Sequence, residues 1–156
     1  MKLKVIVILD DNLGMLFNNR RQSRDRVLID DIIKTVKDNK IYIEEYSEIL
    51  FNNSPCKYII SSSPLDEAGI SDYCFIERYH LSSYIDSISE LIIYRWNRNY
   101  PHDFDFDINI TESNFKIVST AEFKGSSHEK ITKEVYSKWK RKFYPISQWF
   151  YQYALF

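Results

Sequence analysis

The stretch GMLFNNRRQSRD, residues 14–25, joins a strand-like run to an amphipathic helix. The run before it, LKVIVIL at residues 3–9, is continuous and rich in β-branched residues, which is typical of a strand covered on both faces in the middle of a sheet. The segment after it has helical periodicity from Arg24 to about Lys37. A central strand, a polar connection and a covering helix predict an α/β fold, and we expect the functional site in the connection.

Asp25 ends this connection and is the candidate catalytic residue. With Ser23 as the N-cap, the carboxylate falls at the second helical position, and the same helix face then carries Leu28, Ile29, Ile32 and Val36. Asp25 is therefore expected to face the core, where desolvation would raise the pKa of its carboxyl group and suit it to hold or pass a proton. The ordinary alternative is that Asp25 complements the positive end of the helix dipole, and the residues alone leave both interpretations open.

Arginines crowd around this carboxylate in the sequence, interleaved with amide and hydroxyl side chains: Arg20, Arg21, Arg24 and Arg26, with Asn18, Asn19, Gln22 and Ser23. Guanidinium groups near a helix N-terminus suit a phosphate or a carboxylate. We therefore expect Asn18, Arg20, Arg21 and Arg24 to bind an anionic ligand. The alternative is that these arginines form surface ion pairs with Asp30, Asp31 or Glu44.

Length and composition bound the remaining possibilities. The 156 residues predict a single domain, 1–156, with a core at 1–139 and an aromatic C-terminal tail at 140–156. A formal net charge of -1 gives no overall attraction to nucleic acid or membrane, and the first apolar run is too short for a signal sequence or a membrane span, so we expect a cytoplasmic protein. Cys56 and Cys74 are too few for a disulfide framework. The three glycines lie too far apart for a Gly-rich phosphate-binding loop.

Other patterns predict alternating strands and short helices: strands at 41–43, 57–62, 73–76, 91–96 and 115–123, and helices at 47–51 and 82–89. The alternation in HDFDFDINI, residues 102–110, predicts a half-exposed strand. Its aspartates are better explained as a solvated strand face than as ligands, and no metal site is expected. Residues 131–143 are ambiguous, because apolar residues recur every four positions as in a helix, whereas residues 131–136 also suit a strand.

Several strings together resemble the dihydrofolate reductase family. KVIVILDDNLGM (4–15) is similar to that family's first strand and the loop whose Gly-Met closes over the active site, and SRDRVLIDDII (23–33) to its first helix. LIIYRWNR (91–98) is similar to the substrate-side strand, and FKIVSTAEFKGSSHEKITKEVY (115–136) to the closing hairpin. The resemblance implies a single α/β domain with a central mixed sheet, a few flanking helices and a closing C-terminal hairpin. It implies that residues 131–136 form a strand, that Asp25 is the active-site carboxylate, and that Asn12 and Met15 lie in the closing loop.

The chain also departs from that family's pattern. Glu77, Arg78 and Tyr79 stand where the family has consecutive glycines packed against the nicotinamide cofactor. Glu44 and Glu45 stand where a Gly-Arg pair fixes the cofactor phosphates, and carboxylates would repel those phosphates. Arg95 replaces a small hydroxyl residue on the substrate-side strand and is expected to fill the pterin pocket or to pair with Asp25. The resemblance therefore implies the fold and the carboxylate without the usual NADPH site, and it leaves the cofactor open.

The functional hypotheses follow from these residues. The first is a protein of reductase fold that binds an anionic small molecule or nucleotide near Asp25, without efficient NADPH-dependent reduction, using Arg95 and His128 besides the residues above. One alternative is an NAD(P)H-dependent reductase of a pterin-like heterocycle. Another is an RNA-binding or RNA-processing protein, since basic and aromatic residues alternate around 20–26, 95–98 and 139–142. The aromatic tail adds the possibility of a homodimer.

Overall fold

The computed structural model describes residues 3–139, which form a seven-stranded mixed sheet and a three-stranded sheet. The larger sheet has the order β5-β4-β6-β1-β7-β10-β9, and the smaller has the order β3-β2-β8. The strands are β1 (Leu3–Leu9), β2 (Gly14–Phe17), β3 (Arg20–Arg21), β4 (Ile41–Ile43), β5 (Tyr58–Ile60), β6 (Tyr73–Phe75), β7 (Ile88–Arg95), β8 (Phe104–Asp105), β9 (Phe115–Phe123) and β10 (Ile131–Lys138). Strand β1 lies at the centre of the larger sheet, as its apolar sequence predicts.

Three α-helices connect these strands: α1 (Arg26–Val36), α2 (Glu48–Phe51) and α3 (Pro64–Glu67). Short 3₁₀ turns cover Glu45–Ser47, Ser82–Ser87 and Ile110–Glu112. Within residues 3–139 no helix is long and apolar enough to cross a membrane. The larger sheet is parallel from β5 through β4, β6 and β1 to β7. Strand β10 pairs antiparallel with both β7 and β9, so the hairpin closes the sheet as expected.

The larger sheet has a hydrophobic cluster on each face. On one face α1 packs Leu28, Ile32 and Val36 against strand residues such as Ile6 and Ile92. The other face carries Val5, Val7, Leu91 and Ile93 and is covered by residues of α3 and of the segment after β8. Because side chains alternate across a strand, consecutive residues at the end of β7 point to opposite faces. This alternation decides which polar residues reach the N-terminus of α1.

Most predicted elements are confirmed, with corrections at four places. The helix predicted at 82–89 is a 3₁₀ turn at Ser82–Ser87, and Ile88 and Ser89 belong to β7. Helix α1 begins at Arg26 with Asp25 as its N-cap, so the assignment of Ser23 as N-cap is wrong. In residues 102–110 only Phe104–Asp105 pairs as a strand, although apolar side chains still alternate with exposed ones. Residues 131–138 form β10, so the helical periodicity is misleading and the implication of the family resemblance is right. The tail at 140–156, with the dimer interface predicted for it, lies outside the described residues.

The smaller sheet is not predicted from the sequence, and its turn explains how residues 14–25 fold. Strands β2 and β3 pair antiparallel, with Leu16 opposite Arg21 and Phe17 opposite Arg20. The two residues between them, Asn18 and Asn19, have φ angles of 51° and 60°. Two consecutive residues at positive φ are typical of a type I′ hairpin turn, and asparagine tolerates this conformation better than most residues. The polar connection is therefore a hairpin rather than an open loop.

Candidate functional site

The candidate site lies where the parallel strands end and α1 begins. Asp10 follows β1 directly, Glu77 lies two residues after β6, and Trp96 follows β7. Crevices outside the carboxyl ends of parallel strands are the usual ligand sites of open α/β sheets. The N-terminus of α1 brings Asp25 to the same end of the sheet, on the face that carries Trp96.

Asp25 is buried and caps the helix that it precedes. Its side chain has no exposed area, and its Oδ1 accepts hydrogen bonds from the backbone N–H groups of Val27 at 3.0 Å and Leu28 at 3.2 Å. These are two of the N–H groups that a helix leaves without an internal partner. The inward orientation predicted from the helical phase is confirmed, but its local role is that of an N-cap.

The turn of the C-terminal hairpin surrounds the rest of this carboxylate. The backbone N–H of Ser126 donates to Oδ1 at 2.9 Å and that of Ser127 to Oδ2 at 2.9 Å, while both serine hydroxyls lie within 3.3 Å of the same oxygens. A Cβ atom added to Gly125 would lie 2.2 Å from Asp25 Oδ2, so this close approach needs glycine. A carboxylate has about four lone-pair positions, and here they are filled from inside the protein.

The pKa of Asp25 is lowered, and the expectation of a raised pKa is wrong. Burial alone would raise the pKa of this carboxyl group, but hydrogen bonds from the Ser127 amide, the His128 ring and the Ser126 amide outweigh that effect and hold the pKa well below its ordinary value. Asp25 therefore stays ionised near neutral pH and does not carry a proton to deliver.

His128 connects Asp25 to two hydroxyl groups. Its Nδ1 lies 2.9 Å from Asp25 Oδ2, and its Nε2 lies 2.8 Å from the hydroxyl of Tyr100 and 3.2 Å from that of Ser23. Trp96 stacks on the imidazole with ring centroids 4.3 Å apart. The buried ring is thus fixed in position and orientation.

The order Asp25, His128, Ser23 has the geometry of a proton relay to a serine. With Asp25 ionised, the N–H group at Nδ1 donates to Oδ2, which leaves Nε2 facing the two hydroxyl groups. Tyr100 lies closer to Nε2 than Ser23 does, at 2.8 Å against 3.2 Å. The arrangement therefore joins the hairpin to the connection before α1 rather than activating Ser23 as a nucleophile.

Asp10 is a second buried carboxylate, which no sequence pattern singles out. Its Oδ1 accepts from the backbone N–H groups of Asn12 at 2.8 Å and Gly14 at 2.7 Å, and its Oδ2 accepts from Gln22 Nε2 at 3.0 Å. Asp10 thereby holds the loop after β1 against the β2–β3 hairpin. The sequence feature that could have indicated Asp10 is its position directly after the central strand. Ser23, Trp96 and Tyr100 give no comparable local signal, because they meet His128 only in the folded chain.

The four arginines do not form one cluster. Arg21 turns inward and makes a two-point ion pair with Glu77, with Nε to Oε1 at 2.6 Å and the second nitrogen to Oε2 at 2.7 Å. Arg20 lies at a separate opening beside Asn18 and Tyr100. Arg24 and Arg26 are exposed beside the N-terminus of α1. Among the described residues Arg20, Arg24 and Arg26 form no ion pair, so the alternative of surface pairing with Asp30, Asp31 or Glu44 is wrong for them in this structure.

Arg95 does not pair with Asp25. It lies on the opposite face of the sheet from Trp96, and its Nε forms an ion pair with Glu134 of β10 at 2.5 Å. Asn12, Met15 and Asn18 are also spread out. Met15 lines the cleft described below, Asn12 bonds Asn99 at the surface, and Asn18 lies in the hairpin turn. The structure therefore brings Met15, Arg21 and Arg24 to the cleft beside Asp25, with His128 in contact with Asp25, and leaves Asn12, Asn18, Arg20 and Arg95 elsewhere.

A cleft opens between α1 and the ends of β1 and β6. Its inner part is narrow, with a cavity volume of about 20 Å³. It is lined by six apolar and six polar residues: Ile8, Met15, Ile29, Leu50, Ile76 and Trp96, with Arg21, Gln22, Ser23, Arg24, Asp25 and Glu77. Its outer part, of about 480 Å³, shares Arg24, Asp25, Ile29 and Leu50 with the inner part and adds Arg26 and Asp30. Within residues 3–139 no group of three or more His, Cys, Asp or Glu residues is placed to hold a metal ion.

Comparison with known proteins assigns the architecture. No protein family model and no curated protein sequence matches this chain. A dihydrofolate reductase from Enterococcus faecalis, in a structure complexed with NADP(H) and RAB-propyl, superposes with a TM-score of 0.60 over 89% of this chain and 97% of that chain. The chain has the dihydrofolate reductase fold. Because the two sequences are only 12% identical, the likeness establishes the fold and no activity.

Proposed function

We propose that the protein binds a small molecule or nucleotide with an apolar or aromatic body and an anionic group in the cleft beside Asp25, without efficient NADPH-dependent reduction. The observation that carries the proposal is the composition of the cleft, which has apolar walls and carries Arg24 and Arg26 at its mouth. Small-molecule sites are typically apolar clefts with a few convergent polar groups.

The outer part of the cleft has room for the body of such a ligand. Its volume of about 480 Å³ is that of a small-molecule pocket, and Ile29, Ile33, Ile49 and Leu50 give it apolar walls. In the narrow inner part, the Oε1 atom of Gln22 is buried and has no hydrogen-bond partner in the described part of the chain. A buried acceptor without a partner costs free energy, about 1–3 kcal/mol, that a ligand N–H or O–H group would recover. Gln22 inside and Arg24 at the mouth are therefore the two polar contacts that we assign to the ligand.

The mouth of the cleft suits the anionic group. Arg24 and Arg26 are exposed there, and two carboxylates are among the lining residues, the buried Asp25 and the exposed Asp30. Neither arginine is committed to an ion pair within residues 3–139. A guanidinium fork binds carboxylate and phosphate with paired hydrogen bonds, so both chemistries fit.

Three features disfavour hydride transfer from NADPH. The oxygens of Asp25 are occupied by the hairpin turn and the helix, so this carboxylate has no free position for a heterocycle. The Arg21–Glu77 ion pair lies on the cleft wall, and Ser47 Oγ donates a further hydrogen bond to Glu77. Glu77 stands where the family has glycines packed against the nicotinamide, so this ion pair would obstruct its approach. Glu44 is buried at the neighbouring strand end, where it would repel phosphate.

The RNA alternative loses support at one of its three patches, residues 95–98. Trp96 is buried and stacked on His128, so its ring is not available to stack on a base, and Arg95 is engaged with Glu134. The patch at residues 139–142 lies largely outside the described residues. A single-stranded RNA probe in a binding assay tests this alternative, and we expect no binding at physiological salt.

The binding proposal is tested by thermal shift and calorimetry with folate, GMP and 2-naphthoate as probes. We expect one or more of them to raise the unfolding temperature, and Arg24→Ala to weaken its binding about tenfold or more, as loss of a charge-assisted hydrogen bond does. Arg98→Ala is the matched control, because Arg98 is exposed and does not line the cleft. Equal affinity of wild type and Arg24→Ala for a bound probe, or no stabilisation by any of them, contradicts the proposal.

The absence of efficient reductase activity is tested separately. We expect titration of the protein into NADPH to leave the cofactor fluorescence unchanged, and we expect no NADPH oxidation with dihydrofolate. Quenching that saturates at micromolar protein, together with turnover, favours the reductase alternative.

A further inference from the structure

A second groove lies at the carboxyl ends of β4, β5 and β6. It is an open groove of about 620 Å³, and its lining includes Glu44, Tyr46, Ser61, Arg78 and Tyr79. Glu44 follows β4, Ser61 follows β5, and Arg78 lies three residues after β6, so the three strands deliver polar groups to one crevice. We refer to it as the Glu44 groove. The Arg21–Glu77 ion pair and Tyr46 separate it from the cleft beside Asp25.

Glu44 is the unusual residue of this groove. It is 9% exposed, and its Oε2 atom is buried and has no hydrogen-bond partner in the described part of the chain. Arg78 does not form an ion pair with it. Burial raises the pKa of the Glu44 carboxyl group and the charge of Glu77 adds to this effect, whereas the charge of Arg78 and the backbone N–H groups of Arg78 and Glu77 oppose it. A buried carboxylate oxygen without a partner destabilises the fold, and such residues are concentrated at functional sites.

The groove already accommodates planar cations against an aromatic ring. The guanidinium carbon of Arg78 lies 5.0 Å from the centroid of the Tyr46 ring, and that of Arg21 lies 4.2 Å from it. Tyr46 therefore presents π-electron density to flat cationic groups. Because Arg21 is neutralised by its ion pair with Glu77, the charges left in the groove are those of Glu44 and Glu45 against the single charge of Arg78. Its electrostatics favour a cation and disfavour a phosphate.

We propose that the Glu44 groove binds a planar cationic or amino-bearing group, such as an amidinium or an amino-substituted heterocycle, that donates hydrogen bonds to Glu44. The ligand supplies the donor that Oε2 lacks, and its flat body lies among Tyr46 and Tyr79. The proposal is independent of the cleft beside Asp25. It also accounts for Glu44 at a strand end where a cofactor phosphate would need a positive partner.

The test uses two probes of one shape and opposite charge, benzamidine and benzoate. Binding is measured by calorimetry and by chemical-shift changes in wild type, Glu44→Gln and Arg24→Ala. We expect benzamidine to bind wild type and Arg24→Ala equally and Glu44→Gln about tenfold more weakly. We expect any benzoate binding to depend on Arg24 and not on Glu44. A failure of the proposal for the Glu44 groove is therefore distinguishable from a failure of the proposal for the cleft beside Asp25. Glu112→Gln, at an exposed residue of a 3₁₀ turn, is the matched control.

A stability measurement separates a ligand site from a structural role. Glu44→Gln removes a buried charge, and we expect it to raise the unfolding temperature of the free protein while it weakens benzamidine binding. A variant that is less stable than wild type, or that binds benzamidine as tightly, overturns the proposal. Inorganic pyrophosphate shifting the resonances of Tyr46 and Tyr79 more strongly than benzamidine also overturns it.

Discussion

Both oxygens of the Asp25 carboxylate are occupied by groups from two distant parts of the chain. The first turn of α1 supplies N–H donors to Oδ1, and the turn at residues 125–128 supplies donors to both oxygens. A carboxylate in this environment is stabilised in its charged form, because the hydrogen bonds it accepts outweigh its loss of water. At the scale of the residue, Asp25 is therefore an ionised group that joins the hairpin turn to the N-terminus of α1.

Asp25→Asn tests this description through the pH dependence of stability. Because the folded-state pKa is lowered, the stabilisation is fully present above the unfolded-state pKa of about 3.9 and is lost as pH falls through the folded-state value. We expect the variant to lose about 3 kcal/mol at pH 7, with the difference from wild type shrinking below about pH 4. Urea unfolding at several pH values measures it.

Asp38→Asn provides the control for this experiment, since Asp38 is exposed just after α1. It is expected to change the free energy of unfolding by less than about 0.5 kcal/mol at every pH. If the difference between wild type and Asp25→Asn stays constant as the pH falls through the acidic range, the carboxyl group is not the source of the stabilisation.

The residues of the site differ in how far the sequence predicts them. The inward position of Asp25 follows from helical phase, and His128 stands out in a polar turn, so both are found. The pKa of Asp25 is not predictable, because its direction depends on Ser126 and Ser127, which lie about a hundred positions away in sequence. Arg95 illustrates the same limit, because its register in β7 decides which face it reaches.

At the scale of the element, the hairpin turn and α1 form one unit around Asp25. Gly125→Ala tests this, because the added Cβ would lie 2.2 Å from Asp25 Oδ2 and 2.8 Å from Ile131 Cδ1. Either the turn or the helix must move, and we expect a loss of about 3 kcal/mol in the free energy of unfolding. Thermal or urea unfolding measures the loss.

Gly69→Ala is the matched glycine control. Its added Cβ would meet Asp72 Oδ2 at 3.1 Å, and this atom is the far end of a side chain that can move aside. A change within about 0.5 kcal/mol is expected. Similar losses in the two variants indicate a general effect of replacing glycine, and a Gly125→Ala variant of wild-type stability shows that the turn does not hold Asp25 closely.

Elements are predicted well where one signal dominates and poorly where two compete. The run at residues 3–9 has only a strand interpretation, and β1 has those bounds. In residues 131–138 the four-residue spacing favours a helix, but pairing with β7 and β9 on both sides makes this segment a strand. The two-residue Asn18–Asn19 turn is hard to recognise in the sequence, because its arginine neighbours resemble a ligand site rather than strand ends.

For the whole molecule, the order of strands and helices is sufficient to predict the fold, but not the positions of the charged side chains. Alternating strand and helix patterns specify the α/β class, and the structure confirms the central β1 and the closing hairpin. Which arginine faces Glu77, and which faces the cleft, depends on the small β3-β2-β8 sheet. The core thus follows from hydrophobic periodicity, whereas the site depends on contacts between distant segments.

Amide hydrogen exchange tests how these segments cooperate in the whole molecule. Ser126 and Ser127 are exposed turn residues, which normally exchange fast, yet their N–H groups donate to a buried carboxylate that also caps α1. Breaking these bonds exposes an ionised group held at the end of the central sheet, so local opening is costly. We expect both amides to exchange as slowly as the interior of α1.

The amide of Glu129, exposed in the same turn and with no acceptor in residues 3–139, should exchange fast. Exchange of Ser126 and Ser127 at the rate of Glu129 would mean that the hairpin opens independently of α1 and that Asp25 does not join them.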